Sequence, residues 1–227
     1  MSYLRTNVLG SLLLMLAIGL STVRAAAAEA VPFVAVPNPF PTASSVSATI
    51  DGGLVLGSDS DSSALSGAGI IELDSVDAPF GSAQITELEL LLDDGVEFSL
   101  RLGLTARAEP GATRVTMLDP GPAGAVVDGK FDQLDNLFAF EGEVWLSTQP
   151  NEPLDLSTVD PVTASLYGIE LIDNGTQIDS LMNFDLQFVA SLSAEGLPFE
   201  VPLTIDIAGG VQAIGMKPLA GDWNGNG

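Results

Sequence analysis

The sequence predicts an all-β protein, an antiparallel β-sandwich or jelly roll, and three observations point there. Apolar residues alternate with polar ones over about ten short segments, the period of strands with one buried face. From Ser45 to about residue 216 no long run of period-3.6 spacing appears. Gly, Pro, Asn and Asp clusters separate the alternating segments, as antiparallel connections require.

The chain opens on a leader. Residues 1–30 carry Arg5 near the start, an apolar run from Val8 to Leu20, and small residues at Ala25 to Ala28 and Ala30. That is the pattern of a cleaved secretory signal peptide. The run falls short of the about 20 residues that cross a bilayer, so a cleaved leader fits better than an anchor. Cleavage after Ala25, Ala28 or Ala30 satisfies the small-residue rule, and no membrane span is expected in the mature chain. Residues 31–44 include Pro32, Pro37, Pro39 and Pro41 and are expected to form an extended linker. The folded domain is placed at 45–216, with weaker strand candidates at Ser45 to Ile50, Leu54 to Leu56 and Ala68 to Leu73.

The clearest alternation runs Leu88, Leu90, Leu92, then Asp93-Asp94-Gly95, then Val96, Phe98 and Leu100. A three-residue loop with Gly95 left-handed would set Leu92 against Val96, Leu90 against Phe98 and Glu87 against Arg101. Val115 and Met117, then Phe138, Phe140, Val144 and Leu146, supply further strands. Asn174-Gly175 is a strong hairpin signal, and a two-residue loop there pairs Leu171 with Ile178 and Tyr167 with Met182. Beyond Gly196-Leu197-Pro198 the alternation resumes at Phe199 and runs through Ile207, completing a meander. Pro202 places its last strand at an edge or a bulge. A transmembrane barrel would alternate in the same way, but its aromatic girdles do not match a chain with 2 Tyr and 2 Trp.

Composition limits the function. With 30 Asp and Glu against 7 Lys and Arg, the surface repels phosphate, and nucleic acid is excluded as a partner. The excess of carboxylates suits hard cations. Cysteine is absent from a chain long enough to hold a real core, which points to a bacterial rather than an animal secreted protein. The absence of both cysteine and histidine removes Ser-His-Asp and Cys-His catalysis and thiolate or imidazole zinc sites. Gly124 to Lys130 spells G-x-x-x-x-G-K, but Phe131 replaces the magnesium-holding Ser or Thr and no helix pattern follows.

What remains is paired carboxylates and one tryptophan. Glu72-Leu73-Asp74-Ser75-Val76-Asp77 resembles the E-x-D-x-x-E strand of laminarinase-like jelly-roll glycosidases. The resemblance implies Glu72 as nucleophile and Asp77 as acid/base, although Asp77 is one methylene short. Trp145 follows Glu141 and Glu143, and alternation predicts an exposed ring beside carboxylates, a surface suited to a sugar. Ser58 to Ser63 reads as a flexible acidic loop.

The tail, residues 217–227, ends Gly221-Asp222-Trp223-Asn224-Gly225-Asn226-Gly227. Asp222, Asn224 and Asn226 occupy positions 1, 3 and 5 of an oxygen-ligand calcium loop and Gly227 position 6. The stretch resembles the first half of a dockerin repeat, an EF-hand-type loop of extracellular bacterial proteins. That resemblance implies calcium, bound weakly because the carboxylate of position 12 would follow residue 227. The same residues also suit an unstructured Gly/Asn terminus. The expected function is therefore a secreted, non-catalytic β-sandwich module of a bacterial cell surface or extracellular matrix, with a polysaccharide or another surface protein as candidate partner. A carbohydrate-binding or carbohydrate-cleaving jelly roll is the alternative.

Overall fold

The computed structural model describes residues 28–36, 44–147, 149–192 and 201–218. The chain is all-β and antiparallel, as its alternation predicts. In order, the strands are β1 (Glu29–Ala35), β2 (Ser45–Asp51), β3 (Ser58–Leu73), β4 (Ser82–Leu92), β5 (Val96–Ser99), β6 (Thr105–Ala108) and β7 (Arg114–Asp119). They continue with β8 (Gly124–Ala125), β9 (Lys130–Glu141), β10 (Glu143–Leu146), β11 (Gln149–Asp155), β12 (Val162–Asp173), β13 (Gln177–Leu192) and β14 (Val201–Met216). A single helical turn, α1 (Gly53–Leu56), lies between β2 and β3.

Ten strands form one large sheet, and its ladder closes because β3 pairs with β4 as well as with β1 and β2. β1 and β2 share one slot between β3 and β14, β1 alongside Ala68 to Leu73 and β2 alongside Ser58 to Ala64. Apolar side chains point inward: Val31, Ile85, Ile169 and Met182 are completely buried. Along β13 the outward residues Asn183, Asp185 and Gln187 are exposed. Polar-out, apolar-in alternation is the reverse of a lipid-facing barrel.

The second sheet, in the order β11-β10-β6-β5, is the same wall turned through a corner. β4 runs into β5, β6 into β7, β9 into β10 and β11 into β12, so its strand order repeats the order β12-β9-β7-β4 of the large sheet. Two crossings occur at glycines that need positive φ, Gly95 at 69° and Gly142 at 123°. A Cβ at Gly95 would run into the Ala108 carbonyl, and one at Gly142 into that of Ala112.

This corner overturns the expected hairpin at Asp93 to Gly95. Gly95 is left-handed as anticipated, but Leu90 pairs with Gly67 and Val115, while Phe98 pairs with Ala106. Glu87 lies opposite Ile70, and Arg101 donates to the Leu54 carbonyl at 3.0 Å, so the Glu87–Arg101 pair does not form. Facing apolar sets fix which side of a strand is buried, and two different partners satisfied that condition equally.

Other local corrections have local causes. Leu54 to Leu56 is helical, with the Asp51 carboxylate accepting the Gly53 N–H at 2.8 Å. Ser58 to Ser63 belongs to β3 and is not a loop. Asn174 begins a turn closed by its N–H on the Gln177 carbonyl at 2.9 Å, so Asp173, not Leu171, faces Ile178. A bulge after Tyr167 then turns that ring outward and pairs it with Asn183. β14 is a central strand, yet Pro202 is tolerated because β2 pairs only from Thr204 onward. Val31, Phe33 and Ala35, within the segment read as a linker, are buried strand residues.

Candidate functional site

The inner faces of the two sheets do not meet completely. Between them lies a cavity of ≈ 170 Å³, bordered by Ile50 of β2, Leu90 of β4, Ala106 of β6, Phe138 of β9, Leu166 of β12 and Ile207 of β14, among others. It sits at the junction of the two apolar clusters, one filling the closed part of the large sheet and one under the small sheet. The space follows from the corner: when a wall bends, side chains on its inner face splay and the opposite wall cannot follow.

The lining reaches the surface at β11. No ladder joins β11 to β13 among the described residues. Leu154 borders the cavity and is 42% exposed. At the other side of the small sheet the gap is shut: the Asp61 and Asp59 carboxylates accept the Glu97 and Ser99 N–H groups at 2.8 and 2.6 Å.

One lining side chain is polar. Thr113, at the corner between β6 and β7, is buried on the same inward face as Val115 and Met117, and its hydroxyl has no hydrogen-bond partner among the described residues. Its carbonyl accepts the Leu92 N–H at 3.1 Å, which fixes the residue in the ladder. Neither the cavity nor Thr113 was legible in advance, although Thr113 at an inward position of the Thr113, Val115, Met117 alternation was the available signal.

The residues singled out from sequence do not assemble into a site. Glu141 ends β9 opposite Arg114 in the large sheet, whereas Glu143 and Trp145 lie past the Gly142 crossing on β10. Trp145 is half-buried rather than exposed, on the face away from the cavity, with Arg107 of β6 as its cross-strand neighbour. Glu72 sits on β3, while the Asp74 carboxylate accepts the Gly81 N–H at 3.0 and 3.1 Å. Asp77 lies in the following loop, held by Lys217 Nζ at 2.9 Å. The G-x-x-x-x-G-K stretch is a tight turn at Asp128-Gly129, and Lys130 pairs with Glu170 at 3.3 Å. Asp222, Asn224 and Asn226 lie outside the described residues.

Lys217 makes a second, less exposed contact with Asp173 at 2.7 Å. That ammonium group and the Ala78 and Gly175 N–H groups hold the Asp173 carboxyl down at about 2. Asp173 in turn keeps the Lys217 ammonium protonated above its ordinary range. The cluster ties the β3–β4 loop, the β12–β13 turn and the end of β14 together. In comparisons with family models, curated proteins and solved structures, nothing matches this chain.

Proposed function

We propose that the protein is an exported, non-catalytic β module of a bacterial surface or matrix, and that it holds a small apolar molecule in the cavity between its sheets. The observation that carries this reading is the lining, which among the described residues is aliphatic or aromatic at every position but Thr113. A cavity so lined excludes water and favours apolar occupants, and about 150 Å³ is enough for a six-carbon ring.

The non-catalytic half of the reading rests on how the carboxylates are used. Asp74 accepts from the Gly81 backbone amide and Asp77 from Lys217, so these two carboxylates of the glycosidase-like stretch are engaged in holding a loop. Export rests on the leader-like start of the chain. Calcium, through Asp222, Asn224 and Asn226, is proposed as a weak additional ligand only.

Titration of methyl-labelled protein with n-hexane tests the reading. Resonances of Leu166, Leu186 and Ile207 are expected to shift saturably while those of the exposed Leu54 and Leu102 stay fixed. Ala106→Phe, which fills the space, should abolish the shifts and keep cooperative unfolding. Wild-type protein without saturable shifts would contradict the reading.

A further inference from the structure

The geometry points to a ligand that is not a plain hydrocarbon: we propose that the cavity takes a neutral aliphatic molecule with one hydrogen-bonding oxygen, an alcohol, ketone or ester, whose oxygen pairs with Thr113 Oγ1. This rests on the apolar-ligand reading above and narrows it to a chemical class.

A buried hydroxyl without a partner is uncommon in folded proteins and unfavourable. Valine has the same shape as threonine and would fill this position with no such cost, so packing alone does not account for Thr113. A second buried hydroxyl, that of Ser180, is also unpartnered. It sits in the closed core and borders no part of the cavity, so no guest can reach it. Among the described residues, Thr113 is the one orphan hydroxyl whose residue borders free space.

Charge and size restrict the class further. Among the described residues no Lys or Arg lines the cavity, and the chain carries a net charge of -23. A carboxylate or phosphate would be buried without a counter-ion, whereas a neutral oxygen loses little on entry. The volume holds a chain of about six to eight carbons, and a longer molecule would have to extend past the exposed Leu154.

The test is a comparison of two probes on two proteins. Affinities of n-hexane and 1-hexanol are measured calorimetrically for the full chain and for Thr113→Val. Hexane affinity should be unchanged by the substitution, while 1-hexanol affinity falls about tenfold. Thr113→Ser should retain 1-hexanol binding, and sodium hexanoate should not bind the wild type. If hexane and 1-hexanol both bind and both ignore Thr113→Val, this inference fails while the apolar-ligand reading survives. If neither probe binds the wild type, the reading itself fails and takes this inference with it. Thermal unfolding of Thr113→Val, expected at or above the wild-type temperature, shows that the variant is folded.

Discussion

Asp61 reaches across from β3 to accept the backbone N–H of Glu97 at 2.8 Å, and this bond fastens the small sheet to the large one. Asp59, two residues back on the same face, does the same for Ser99 at 2.6 Å. Neighbouring strands normally meet backbone to backbone. Here carboxylates stand in for the missing ladder and leave no bare edge on β5.

Removing these caps should therefore loosen the small sheet selectively. Asp61→Ala is expected to cost about 1–2 kcal/mol, the range of a charge-assisted bond at a partly exposed site. Asp61→Asn, which keeps an acceptor oxygen, should cost less. Amide exchange at Glu97 and Ser99 checks this: protection unchanged in an Asp59→Ala, Asp61→Ala double variant would show that the caps are incidental.

The buried polar pair in the closed core makes a stronger prediction. Gln133 and Asn136 are fully buried. The Gln133 carbonyl accepts the Ile85 N–H at 2.6 Å and its amide donates to the Ile85 carbonyl at 2.9 Å, replacing ladder bonds between β4 and β9. Gln133→Leu strands both Ile85 groups and takes one of two donors from the Asn136 oxygen, which keeps the Gly121 N–H, so a loss of about 2–5 kcal/mol is expected in denaturant unfolding. A loss under 1 kcal/mol, about the cost of an ordinary surface change, would mean that water replaces the side chain.

Acid stability should depend on Asp173. Its folded value of about 2 lies below the ordinary 3.8 of a free aspartate. Such a group adds stability that is complete above about pH 4 and lost as the pH falls toward about 2. Asp173→Asn should therefore unfold more readily at neutral pH and show a flatter decline across that window. Lys217, with a raised value, contributes stability that is lost only as the pH climbs past its ordinary 10.5. An unaltered acid limb in Asp173→Asn would place the acid sensitivity elsewhere.

Gly95 provides a backbone test. Its φ of 69° and the close Ala108 carbonyl leave no room for a side chain. Gly95→Val should destabilise by more than the about 1 kcal/mol that a left-handed conformation costs a residue with a Cβ. Thermal unfolding indistinguishable from wild type would show that the corner relaxes around it.

The class of fold was legible because period-two alternation reports which faces are buried, and β4, β9, β13 and β14 display it over long spans. Pairing partners were less legible. Leu90 is apolar whether it faces Phe98 or Gly67, and only the corner decides. Asp59 and Asp61 escaped notice for the opposite reason: they hold inward strand positions but are polar, so their alternation looked like a loop. Trp145 follows its alternation to the face away from the cavity, but it is half-buried there. The cavity could not be read at all, since it arises from how two walls bend and no single residue encodes it.

The central claim is that the space between the sheets receives an apolar guest. Crystals soaked with 1-bromohexane test it most directly, because the anomalous signal of bromine locates the molecule. A bromine peak is expected inside the cavity bordered by Ala106, Phe138 and Leu166. Peaks confined to the outer surface, for example beside the exposed Leu54 and Leu102, would contradict it.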